Sequence, residues 1–127
     1  MSDNEKYADG DASYMPLIDV RDALGRLMNN RGLYIQLLRG FKGGEMAADI
    51  SNAVNAGDYE KIIYAAHKLK GVAANLGLTR LRDVSLKMES GAKIKESADA
   101  LKALEAELLK IVEATMAAAG DFCGRAN

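Results

Sequence analysis

The single proline of this 127-residue chain is Pro16, so nothing after it obliges a helix to break or to give up a backbone hydrogen bond. Ala and Leu supply 36 residues while Val, Ile and Thr supply only 14, a balance that favours helix over strand. With 49% hydrophobic and 28% charged residues, a chain of this length buries one sizeable core. The expectation is an all-α domain over residues 17–119, with a flexible N-terminal arm (1–16) and a flexible tail (120–127) that frays from Gly120.

Apolar spacing divides that domain. Val20, Ala23, Leu24 and Leu27 recur at helical intervals from Asp19 until Asn29-Asn30-Arg31-Gly32 interrupts. A longer helix is expected from Leu33 to Ala56, with Leu33, Leu37, Phe41, Ala48 and Val54, beside Leu38 and Ile50, as its apolar side. Gly43-Gly44 predicts a kink or short break within it. Gly57-Asp58 closes one helix and caps the next, Tyr59 to Leu76, which stops at Gly77. Thr79 is the expected cap of a helix through about Ser90, and residues 91–96 read as a connection. Ser97 then caps a last helix with the stripe Leu101, Leu104, Leu108, Ile111 and Thr115. Short links imply antiparallel neighbours, hence an up-and-down four-helix bundle with a short additional N-terminal helix. Met15, Met28, Met46, Met88 and Met116 read as core filler.

The scarcity of metal-ligating residues excludes several chemistries. One His and one Cys cannot make a Cys/His zinc site, a di-iron bundle or a disulfide, so no metal site is expected, and Cys123 has no evident role. A net charge of −1 argues against nucleic-acid binding, and no apolar run nears the roughly 18 residues of a membrane span. The acidic, polar N-terminus lacks the basic-then-apolar order of a secretion signal, so the expected setting is soluble, reducing and cytoplasmic. Net charge conceals a local field, however. Residues 60–95 hold eight basic and three acidic side chains and carry +5. That field suits an acidic or phosphorylated partner; the competing reading is a solvated helix face, to which Lys68 and Arg80 are assigned first.

The single His lies in this segment. At 100° per residue, Leu69, Val72, Leu76, Ala65 and Ile62 fall opposite His67, which shares its own side with Glu60, Tyr64, Lys70, Gly71 and Ala74. His67 therefore points away from its helix's core. Gly71, one turn on, costs about 1 kcal/mol relative to Ala in mid-helix, and nothing in the pattern calls for a bend. Together with the small Ala74 it leaves room for another surface to reach the ring, and Lys70 can fold its ammonium into the same space. If the chain reverses near Leu78, His67 and Glu89 lie eleven residues either side of the turn and at similar height. Glu89 is then either a solvated side chain or the acceptor of Nδ1–H, which would leave Nε2 as an oriented nucleophile. Such an imidazole can take a phosphoryl group and pass it on, with lysine neutralising charge. There is no G-x-x-x-x-G-K-[ST] phosphate loop, so the chain should relay phosphoryl groups without drawing them from ATP.

The stretch Ala65-Ala66-His67-Lys68-Leu69-Lys70-Gly71-Val72-Ala73-Ala74-Asn75-Leu76-Gly77 resembles the signature of histidine-containing phosphotransfer domains, the relay modules of multistep two-component signalling. The likeness lies in Leu, Lys and Gly at two, three and four positions after His, Gly at ten, and the preceding Gly57-Asp58 turn. It extends more weakly from about Leu33 to Gly91. The resemblance implies a helical bundle and phosphorylation of His67 at Nε2, with Lys70 assisting charge, Gly71 giving clearance and Glu89 contacting the ring. Lys68, Ala74, Tyr64 and Gly77 are the accompanying binding positions. Receiver domains of response regulators, and a hybrid sensor histidine kinase, are the implied partners, with Mg²⁺ carried by the receiver rather than by this chain, which would act as a monomer. Leu17, Ile18, Leu24 and Leu33 are implied docking positions. Gly43-Gly44 departs from the family, whose helix there is usually continuous. Two other readings stay open: an adaptor that docks acidic partners through the basic face alone, and an enzyme using His67 as general base, which would need a concave pocket and a second catalytic group.

Overall fold

Each helix starts where a side chain can satisfy its first free N–H groups, or where a turn supplies the geometry. The computed structural model describes residues 16–126, and all of their regular structure is helical. Asp19 caps α1 (Val20–Arg26) by accepting from Asp22 N at 3.0 Å, and Asn30 caps α2 (Arg31–Arg39) by accepting from Leu33 N at 3.0 Å. Then come α3 (Gly43–Asn55), α4 (Tyr59–Leu76), α5 (Thr79–Lys93) and α6 (Ala98–Ala126). Gly57 takes the left-handed conformation, φ +63°, and Asp58 accepts from Lys61 N at 3.1 Å, so the Gly-Asp pair divides α3 from α4 as expected. Ser97 Oγ accepts from Ala100 N at the start of α6.

α3 packs on α4, α4 on α5, α5 on α6, and α6 returns to α3, so these four helices enclose one core. Ile50, Ile62, Leu69, Leu81, Met88 and Leu108 are among its fully buried side chains. α1 and α2 are fastened to the end of α4, whose last carbonyls lack intrahelical donors. Arg26 donates to Ala74 O, Tyr34 Oη to Leu76 O at 2.7 Å, and Asp19 N to Gly77 O at 2.7 Å. Burial raises the pKa of the Tyr34 hydroxyl and keeps it in its donor form.

Several expectations are corrected. The long second helix is two, and the break falls at Gly40-Phe41-Lys42, just before the expected glycine pair. The Phe41 ring folds over Gly43, where a Cβ would lie 2.8 Å from it, so that glycine admits the ring and opens α3. The break also rotates α2: Tyr34 and Leu38 face the core, while Leu33 and Leu37, like Ala48 of α3, are exposed. Thr79 does not cap α5, because its hydroxyl donates to Pro16 O. α5 runs through the expected connection to Lys93, burying Gly91 and Ala92. The tail does not fray: α6 continues to Ala126, Cys123 is buried, and Phe122 packs on Tyr34 with centroids 5.7 Å apart. Arg31 lies 5.0 Å from the centre of that Phe122 ring. Met28 is 92% exposed and Met116 is also exposed, so neither fills the core, whereas Met88 does and Met46 is partly buried. Met15 and the rest of the expected arm up to it lie outside the described residues.

Candidate functional site

The site is built across the α4–α5 turn. Gly77 ends α4 with φ +71°, and Leu78 carries the chain into α5, which returns along α4. Equal rise on both sides of that turn puts His67 and Glu89 at one level. Glu89 Oε2 lies 2.9 Å from His67 Nδ1. Glu89 is only 2% exposed, whereas the His67 side chain is 68% exposed. A carboxylate acceptor makes Nδ1 the protonated nitrogen and leaves the Nε2 lone pair on the open side of the ring.

A buried carboxylate needs compensation, and lysines from both helices provide it. Lys70 Nζ donates to Glu89 Oε1 at 2.6 Å, and Lys93 Nζ lies 3.3 Å from Oε2. Burial by itself would push the Glu89 carboxyl up, but hydrogen bonds from Lys70, His67 and Lys93 more than reverse this and bring it down from 4.5 to about 2. Glu89 is thus an anion at neutral pH. Its negative charge faces the side of the imidazole that becomes more positive when Nε2 is substituted.

Gly71 is exposed, and a Cβ built there would meet nothing within 4 Å. The fold therefore gives no reason for glycine at this position; what the missing side chain preserves is open space one turn from the ring. Tyr64, one turn earlier, is 73% exposed, and Lys68 is exposed beside the imidazole. Ala74 is half-buried, its carbonyl taken by Arg26 two turns along α4 from His67. Gly77 is not at this surface. It is buried beneath the N-terminal segment, where a Cβ would lie 2.5 Å from Asp19 O, so its work is to let the chain turn and α1 approach. Of the docking positions, Ile18 is buried, Leu17 and Leu24 are half-buried, and Leu33 is exposed.

The sequence does not single out Lys93, because residues 91–96 read there as a connection, whereas the helix runs to Lys93. Its signal was the four-residue spacing from Glu89, which holds once α5 is long enough. An open groove of about 530 Å³ runs between α3 and α4, with Met46, Asn52, Tyr64 and Lys68 in its walls. His67, Lys70, Gly71 and Glu89 do not line it, so the imidazole has no concave substrate pocket there. Among the described residues no group of three or more His, Cys, Asp or Glu side chains is arranged to hold a metal ion, and no helix is long and apolar enough to cross a membrane.

The family model described as the Hpt domain matches residues 42–118, a stretch that contains α3 to α5, most of α6, and every member of the His67–Glu89 cluster. The chain belongs to the Hpt domain family. No curated protein and no solved structure matches it. Hpt domains are helical phosphotransfer modules of two-component relays and are not kinases. α1 and α2 lie outside the matched stretch, as does the end of α6 that packs against α2.

Proposed function

We propose that this Hpt domain accepts a phosphoryl group on His67 Nε2 from the phospho-Asp of one receiver domain and passes it to another. The observation that carries this reading is the oriented imidazole: Nδ1 is held at 2.9 Å by a buried carboxylate while the rest of the ring is exposed above a glycine with open space. In the transfer, the Nε2 lone pair forms the N–P bond as the acyl phosphate P–O bond breaks, and the departing Asp carboxylate takes the electron pair. The ring gains positive charge and keeps its Nδ1 proton, donated to Glu89. Passing the group on reverses each change. Positioning and charge neutralisation are most of what this chemistry needs.

Lys70 holds Glu89 and supplies positive charge, Gly71 gives the incoming receiver clearance, and Lys68, Tyr64 and Ala74 border the approach. The receiver brings Mg²⁺ with its acidic pocket, and a hybrid sensor histidine kinase feeds the relay. The protein works as a cytoplasmic monomer, with α3 to α6 as the antiparallel up-and-down bundle and α1 as the additional N-terminal helix; the closed ring of contacts from α3 through α6 supports that arrangement.

Incubation with one phosphorylated receiver and a second, unphosphorylated receiver tests the reading. Phosphate should reach the second receiver only when the wild-type chain is present, and His67→Gln should stop it. Undiminished binding of an acidic partner by His67→Ala, with no phosphate moved by the wild type, would favour the adaptor instead.

A further inference from the structure

Glu89 offers two oxygens to three donors, and they are divided unequally. Oε1 belongs to Lys70 alone at 2.6 Å, from a side chain 28% exposed. Oε2 is shared by the His67 ring at 2.9 Å and Lys93 at 3.3 Å, and Lys93 is 58% exposed. Lys93 is thus the longer-held and more solvated of the two cations, and it shares its oxygen with the ring itself. We infer that Lys93 is a second phosphoryl-binding cation, which leaves Glu89 Oε2 when His67 is phosphorylated and moves to the new phosphoryl oxygens. The inference rests on His67 being the phosphoryl acceptor.

Charge balance drives the exchange. When the Nε2 lone pair forms the N–P bond, the donor's bond to phosphorus breaks and its leaving group takes that electron pair. The imidazole, still carrying its Nδ1 proton, becomes cationic and the phosphoryl group anionic. The cationic ring then binds Oε2 more strongly and repels the ammonium that shares it. The phosphoryl oxygens offer that ammonium a stronger partner on the open side of the ring. Glu89 does not lose compensation, since Lys70 keeps Oε1 and the ring's positive charge replaces that of Lys93. The other charged groups near the site are placed differently. Lys68 is on the exposed flank of α4, Arg26 of α1 is engaged by Ala74 O, and Glu96, beyond α5, approaches Gly91.

Phosphoramidate, a small donor whose P–N bond breaks with release of ammonia, tests this without a partner protein. Wild type, Lys93→Ala, Lys93→Arg and the control Lys87→Ala, which removes an equal charge elsewhere on α5, would be labelled and the phosphohistidine quantified against time. Lys93→Ala should label roughly three- to tenfold more slowly, with Lys93→Arg and Lys87→Ala within about twofold of wild type. The side-chain Cε–Hε resonances of Lys93 should shift on labelling of the wild type and stay in place in His67→Gln treated alike. Wild-type labelling of Lys93→Ala, equal slowing in Lys87→Ala, or Lys93 resonances indifferent to phosphorylation would each overturn the inference. Lys93-dependent labelling in a chain that takes no phosphate from any receiver would instead uphold Lys93 and refute the relay.

Discussion

At the scale of single residues, Glu89 and Gly71 carry the most information, because neither has a purely structural reason to be what it is. A buried Glu is costly unless paired, and here its partners come from two helices. Its carboxyl is depressed to about 2, so the stability it contributes is present above its ordinary value of 4.5 and is lost as the pH falls from there through about 2. Chemical denaturation of wild type between pH 5 and pH 2 should show that loss, and Glu89→Gln should lack its part of it, while being less stable at neutral pH by about 1–3 kcal/mol. Gly71 should show the opposite sign. With open space where its Cβ would be, Gly71→Ala should stabilise the helix by about 0.5–1 kcal/mol. Gly71→Gln should also be no less stable than wild type, yet its bulk beside the ring should slow transfer from a receiver by about tenfold, which corresponds to roughly 1.4 kcal/mol of barrier. Melting temperatures and transfer rates for the two variants check whether stability and function separate there.

At the scale of helices, the sequence was clearest wherever one residue has one local job. Gly57, Asp58, Gly77 and Ser97 mark boundaries because positive φ and side-chain capping are decided within a few residues. The outward direction of His67 and its level with Glu89 were legible for the same reason: both follow from helical repeat and a tight turn. What escaped depends on distant partners. The Phe41 ring and Met116 of α6 both close on Gly43, a contact between distant parts of the chain, and the break in the second helix lies at residues 40–42. Thr79 reads as a cap until Pro16 O takes its hydroxyl, and Leu37 reads as core until α2 turns Tyr34 inward. The end of α6 from Gly120 reads as a fraying tail because chain ends usually do, yet Cys123 is buried and Phe122 packs, partly buried, against α2. Phe122→Ala should therefore cost about 1–3 kcal/mol in urea denaturation, where a frayed tail would give a change within about 0.5 kcal/mol.

At the scale of the molecule, a net charge of −1 coexists with a +5 segment that contains the single imidazole. The bundle places that segment on adjoining helices, buries one carboxylate between them, and leaves the ring at the surface, where the proposed relay would have a partner domain complete the reaction. One His is enough for a module that carries one phosphoryl group at a time, and a site completed by a partner accords with the imidazole standing outside the α3–α4 groove. The most direct test is to incubate the chain with a receiver phosphorylated with ³²P, then map the label by proteolysis and its sensitivity to acid and base. Acid-labile, base-stable phosphate on the peptide containing His67, absent from His67→Gln, is the predicted result. Label on any other residue, or equal labelling of His67→Gln, would contradict it.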